Sequence, residues 1–210
     1  MRRLLSKMRK LILKPFSVMG RGKNRYVGFG YFPRLRSLTI VGKGNSIELK
    51  SSLPSSVRIV IYGNNNHLVI DKNVNYKAGL IWIEDNECEI RVGQKTTIES
   101  ATLSVAEDGS KIIIGEDCMI SKDVRFATSD AHSIIDLSTG KRTNFAKDII
   151  IDNHVWIGNG VFINKGCHIG HGAIIAGRSV VTHDVPPLSI AAGVAARVVK
   201  EHVSWDRRRL

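Results

Sequence analysis

Only three cysteines occur in 210 residues, and Cys88, Cys118 and Cys167 lie far apart without paired metal-ligand spacing. That excludes a disulfide framework and a Cys-based zinc site, and leaves three core thiols as the expectation. Aromatic residues make up only 6% of the chain. No apolar run approaches the roughly 20 residues of a membrane-spanning helix, and the run 11–13 is far too short for the apolar core of a secretory signal. The expected compartment is therefore the cytoplasm. Acidic residues are missing from positions 1–36, which hold eleven of the 31 Lys and Arg; the remainder carries twenty basic and nineteen acidic residues. The formal charge of +12 thus belongs to one end.

At that end Leu4, Leu5, Met8, Leu11 and Ile12 fall on one helical arc, with Arg2, Arg3, Lys7, Arg9, Lys10 and Lys14 opposite and Pro15 as a stop. An amphipathic helix over 1–15 is predicted. It suits peripheral contact with an anionic membrane, here the inner face, and equally suits a cap on the end of the domain; the two roles are compatible. Nucleic acid is not an expected partner, because no aromatics are interleaved with the basic residues and no nucleic-acid motif appears.

What the chain does have is a repeat. From Ile151 it divides into sixes: IDNHVW, IGNGVF, INKGCH, IGHGAI, IAGRSV, VTHDVP. A large aliphatic holds each first position (Ile151, Ile157, Ile163, Ile169, Ile175, Val181) and a smaller residue each fifth (Val155, Val161, Cys167, Ala173, Ser179, Val185). Strands alternate with period two and helices repeat every 3.6 residues, so an unbroken six fits neither alone. It fits a solenoid of short strands, in which stacked coils bury a column of aliphatics that no single repeat could bury. The beat is also present at Ile114, Ile120 and Phe126, and more loosely at Val92 and Ile98. Further back, apolar stretches such as SIEL, VRIVIYG and HLVID alternate with Gly and Asn turns without a fixed six. Irregular early coils are expected there.

The hexads resemble those of the hexapeptide-repeat acyltransferases, and the match extends to SDAHSI (129–134), TGKR (139–142), AKDIIIDNHVWIG (146–158), SVVTHDVPP (179–187) and AAGVAARVVK (191–200). Together these cover residues 112–203 and are similar to the sugar and polysaccharide O-acetyltransferases of that superfamily. The resemblance implies an all-β, left-handed parallel β-helix with three hexapeptides per coil, a protruding loop and a short C-terminal tail. It also implies a homotrimer with active sites between subunits, and acetyl-coenzyme A as cosubstrate. The corresponding layout is a basic segment at 1–36, the β-helix at 37–190 with a loop at 127–148, and a tail at 191–210 that contacts coenzyme and then turns basic.

Phe126 and Ile151 are 25 residues apart where whole coils give 18, so seven residues are expected to leave the prism as an exposed loop around His132. The resemblance places the family's catalytic histidine on His132. Acetyl transfer needs the acceptor's hydroxyl proton removed as oxygen attacks, and imidazole does this near pH 7. Asp130 and Asp136 are candidates to orient it. Trp156, sixth in its repeat, points away from the column and is the candidate wall for thioester or acceptor, with subunit packing the plainer role. Carried over by position, coenzyme contacts fall on Asn159, Gly177, Thr182, His183, Arg197 and Lys200. Glycine admits a pantetheine arm close to the backbone, and cations pair with phosphates. Two departures stand out: His183 where the family commonly has lysine, and Ala195 where it has proline.

The expected activity is therefore transfer of acetyl from acetyl-coenzyme A to a hydroxyl of a bacterial-type cell-surface glycan or its precursor, without an acyl-enzyme. Three alternatives remain. One is N-acetylation of an amino sugar or nucleotide sugar; another is a catalytically silent scaffold. The third is a zinc carbonic anhydrase, which also uses this β-helix, but His168 and His171 are three apart and occupy different slots of the repeat. No metal is expected.

Overall fold

The computed structural model describes residues 17–19, 24–28 and 37–210. The expected helix over 1–15 lies outside them. Among the described residues there is no α-helix; short strands stack into three sheets, eight strands on the first face and seven on each of the others, parallel except for the last strand of the third. The chain visits the faces in turn, as in Phe162–Asn164 on the first, His168–Ile169 on the second and Ile174–Ile175 on the third. This is a parallel β-helix. Ser17–Met19 pairs in parallel with Leu38–Val41, and Arg25–Val27 with Ser46–Leu49. The coil stack therefore already includes part of 1–36, and residue 37 is not its boundary.

The hexads behave as read. Ile151 lies over Ile169, Ile157 over Ile175 and Ile163 over Val181, each pair 18 residues apart. These side chains are 0–1% exposed, as are Val155, Val161, Cys167, Ala173 and Ser179 at fifth positions. Each buried Ile contributes about 1.5–3 kcal/mol. Cys88 and Cys118 are buried in the same column, so all three thiols sit in the core.

The early coils are not irregular. Ile70, Val92 and Ile114 stack at a spacing of 22 residues, and Leu49 under Ile70 at 21. The added length goes chiefly into the first face, where Val57–Tyr62 and Gly79–Glu84 run for six residues. The corner after that face is held by an asparagine ladder. Asn45 Oδ1 accepts from the Asn66 N–H at 2.9 Å, and Asn66 Oδ1 from the Cys88 N–H at 2.9 Å; Asn66 Nδ2 donates to the Asp85 carbonyl at 3.0 Å. Gly63 turns this corner at φ 126°, and a Cβ there would lie 1.8 Å from the Asp85 carbonyl oxygen. Because Asn45 and Asn66 are fully buried, Asn66→Ala strands buried polar groups and is expected to cost about 2 kcal/mol. Urea titration followed by circular dichroism checks this.

The loop arithmetic also changes. Ile151 stacks on Ile114 and Ile163 on Phe126, both 37 residues apart. Phe126 and Ile151 thus occupy consecutive faces, one hexad step apart in a regular coil rather than a whole turn. The insertion is 37 − 18 = 19 residues beyond a three-hexad coil, not seven, and it occupies the stretch between Val124–Ala127 and Ile149–Ile151.

Candidate active site

The long insertion is tied at its base and open at its tip. Glu107, at the corner one coil below, accepts from Arg142 Nη1 at 2.9 Å and Nη2 at 2.6 Å, from Ser129 Oγ at 2.6 Å and from the Ala146 N–H at 3.3 Å. The Arg142 guanidinium holds the Glu107 carboxyl from its ordinary 4.5 down to about 2. Asp130 accepts from Lys165 Nζ and from Asn144 Nδ2, the second at 2.7 Å, and both contacts lower its pKa, the lysine more. Asn144, itself buried, further donates to the His132 carbonyl at 2.8 Å and accepts from the Ile134 N–H at 2.7 Å. Beyond these ties a small antiparallel turn, bridged at Ile135 and Arg142, carries Ile134, Ile135 and the almost fully exposed Leu137.

His132 stands between the tied base and the tip. Ser129 Oγ, which donates to Glu107, accepts the Ala131 N–H at 3.0 Å, and Ala131 is held at φ 64°. A non-glycine residue in that region is uncommon and persists where its surroundings enforce it. Here the enforced residue directly precedes the histidine. The imidazole is exposed and makes no hydrogen bond to any described residue. It borders an open groove of about 350 Å³ lined also by Glu84, Asp85, Glu107, Ser133 and Arg142. Neither expected carboxylate orients it: Asp130 is engaged by Lys165 and Asn144, and Asp136 caps its own turn through Ser138 and Thr139. The ties nearest His132 act on its backbone, through the Ala131 N–H and the His132 carbonyl.

The remaining expected site residues fall into separate groups within one chain. Thr182 and His183 follow the first-face strand Val180–Val181, on the same corner as the His132 loop, with Thr182 Oγ1 and His183 Nδ1 2.9 Å apart. Asn159 and Gly177 sit one above the other on the opposite edge of that face, where the Arg178 N–H donates to the Asn159 carbonyl at 2.8 Å. A Cβ on Gly177 would crowd that carbonyl at 3.2 Å, Gly158 packs against the Gly177 backbone, and the Arg178 side chain lies against Gly160. Arg197 and Lys200 lie exposed on Ala196–Glu201, which pairs antiparallel with Ser189–Gly193 at the edge of the third face.

Trp156 is on the third face, away from the His132 loop, flanked in register by Met119 and Ile174. Its neighbour was not foreseen. The tail folds back so that Trp205, 8% exposed, lies 6.3 Å from Trp156 and stacks on His154 at 4.2 Å. Trp205 Nε1 donates to the His154 carbonyl at 2.8 Å, while Arg207 Nε donates to Asp117 at 3.1 Å and Arg207 Nη1 to Thr97 at 2.9 Å. Burial opposes ionisation of Asp117, but the bonds from His154 and Arg207 outweigh it and lower its pKa. Trp205→Ala is expected to speed trypsin cleavage at Arg207 by about tenfold, measured by mass spectrometry of timed digests. His168, meanwhile, bonds Asp152 at 2.9 Å, and His171 lies beside the His154 ring.

No family model matches the sequence. A polysialic acid O-acetyltransferase of Neisseria meningitidis is 35% identical over 173 residues, covering 81% of this chain and 80% of that protein. This chain belongs to the hexapeptide-repeat O-acetyltransferases. A polysialic acid O-acetyltransferase of Escherichia coli O1:K1 is 38% identical over 138 residues, 66% of this chain but only 44% of that relative's length. The crystal structure of the polysialic-acid-specific acetyltransferase NeuO superposes with a TM-score of 0.77 at 32% identity, over 92% of this chain and 90% of that one. In this O-acetyltransferase, Glu107 and Asp130 pin the loop that carries His132.

Proposed function

We propose that the protein transfers acetyl from acetyl-coenzyme A to a hydroxyl of a cell-surface glycan or its precursor, with His132 as general base. The observation that carries this reading is an imidazole bonded to no described residue, held over an open groove by a loop fastened on both sides. His132 accepts the hydroxyl proton as the acceptor oxygen attacks the thioester carbonyl, and returns it to the departing coenzyme thiolate. Transfer is direct. Burial raises all three thiols, Cys118 and Cys167 to about 11, so none is a ready nucleophile.

The chain is proposed to work as a homotrimer, because Thr182 and His183 share a corner with the His132 loop while Asn159 and Gly177 lie on another. Rotating copies about a threefold axis brings unlike corners together. The corner at Gly177 then takes the pantetheine arm, with Arg197 and Lys200 available to its phosphates. The cytoplasm is the proposed compartment, with 1–15 as a peripheral contact to anionic membrane. Sialic acid polymers are the first acceptors to try, given what the relatives are named for. The test is release of free coenzyme thiol from purified protein and acetyl-coenzyme A across sialic acid polymers, galactosides, nucleotide sugars and amino sugars. Acceptor-dependent release with O-acetyl product supports the reading; release only with amines, or with none, sinks it.

A further inference from the structure

Two of the chain's few aromatic residues stand side by side on the outside of the first face, on the end nearest the His132 groove. Tyr62, 39% exposed, and the half-buried Trp82 have ring centroids 5.4 Å apart, inclined at 56°. Trp82 Nε1 donates to Glu84 at 3.0 Å, and Glu84 is also the cross-strand neighbour of Tyr62. The indole is thereby held in one orientation. Glu84 in turn lines the groove beside His132, so groove and aromatic pair form one continuous surface.

The register gives the spacing. Ala127, where the loop departs, lies over Ser104, and Ser104 over Trp82, so Trp82 is two coils and Tyr62 three coils from the loop's base. At about 4.8 Å per coil these are roughly 10 and 14 Å, the reach of an oligosaccharide rather than of a single ring. An angled aromatic pair presents apolar faces to the C–H face of a pyranose, while Glu84 and the Tyr62 hydroxyl offer polar partners to its hydroxyls.

We infer that Tyr62, Trp82 and Glu84 form a distal subsite that binds sugar residues of the acceptor remote from the one being acetylated, making the enzyme selective for glycan chains over single sugars. The inference rests on the acetyltransferase reading above. It commits to the acceptor chain as occupant because the platform is continuous with the groove that holds the proposed base. Binding at a distance from the reacting hydroxyl lowers KM for long acceptors without contributing to the chemical step.

The experiment uses the full chain and sialic acid oligomers of one to eight residues. Wild type is expected to show KM falling about tenfold or more with acceptor length, and Trp82→Ala or Tyr62→Ala to abolish that dependence, raising the octamer KM about tenfold at similar kcat. Two substitutions guard against one that fails to fold, as judged by circular dichroism. Binding of the His132→Ala protein to immobilised oligomers is measured in parallel, with and without Trp82→Ala. Length-dependent binding that Trp82→Ala removes supports the subsite even if no acceptor is turned over, the outcome that would defeat the acetyltransferase reading alone. Length-independent KM and binding in wild type overturn the subsite. So does a change of assembly mass by light scattering in both aromatic variants, which would make the pair a contact between copies.

Discussion

His132→Ala is expected to lower kcat by about 10²- to 10⁴-fold while leaving the affinity for acetyl-coenzyme A within about threefold. The magnitude follows from what the side chain does. A positioned base removes the proton as the carbon–oxygen bond forms, and the carboxylates around it are already engaged: Asp130 by Lys165 and Asn144, Asp136 by its own turn, Glu107 by Arg142, Glu84 by the Trp82 indole and Asp85 by the Glu107 N–H. Coenzyme affinity is spared because the substitution only shortens an exposed side chain that makes no bond to any described residue. Steady-state kinetics by thiol release, with coenzyme binding by calorimetry, separate the two effects. Turnover within about threefold of wild type would remove His132 from the base role.

The second large effect is expected at a residue that does not touch the reaction. Glu107→Ala deletes four acceptor contacts at once, to both Arg142 nitrogens, Ser129 and the Ala146 N–H, and so releases from Glu107 the Ser129 hydroxyl that accepts the Ala131 amide beside His132. A displacement of the base by about 1 Å is enough to cost roughly 10²-fold, so a drop of that order in kcat is expected with coenzyme binding little changed. Glu107→Gln should fall between, because an amide keeps one acceptor but loses the charge that Arg142 pairs with. The same contact sets an acid limit. The folded Glu107 carboxyl is depressed from 4.5 to about 2, so its stabilisation of the loop is fully present above the ordinary carboxylate range and is lost as pH falls from about 4.5 through 2. Hydrogen exchange at the Ala131 and Ala146 amides, corrected for intrinsic rates, should show protection constant from pH 7 to 5 and failing below 4.5. Glu107→Ala should lack that protection throughout. Protection unaffected by either acid or the substitution would mean that something else holds the loop.

How much of this could be read before the fold was known depends on the residue. The coils after Ile151 were legible because each hexad puts one large aliphatic on one flat face, so chemistry and spacing repeat together. The coils before Val92 were misread as irregular because six-residue strands such as Val57–Tyr62 and Gly79–Glu84 break the six while keeping a period of 22. The insertion was undercounted because Phe126 and Ile151, alike in chemistry, belong to consecutive faces. The motif around His132 singles it out in the sequence, but the contacts that fasten its loop do not show there. Glu107 lies one 22-residue coil before Ser129, a spacing visible only once that period is known. The Trp205 contact with His154 spans 51 residues and two unrelated stretches, and no local pattern announces it. Contacts between stacked corners depend on coil length, and coil length is what the early sequence conceals.

The central claim is that one site is assembled from the His132 loop of one copy and the corner at Gly177 of another. Subunit mixing tests it most directly. His132→Ala and Gly177→Trp proteins, each inactive alone, are denatured together in equal amounts, refolded and assayed for acceptor-dependent thiol release. If loop and corner come from different copies of a trimer, mixed assemblies recover intact sites and about a quarter of wild-type activity returns. If both parts of the site belong to one chain, the mixture stays as inactive as its components, and the account of a shared site is wrong.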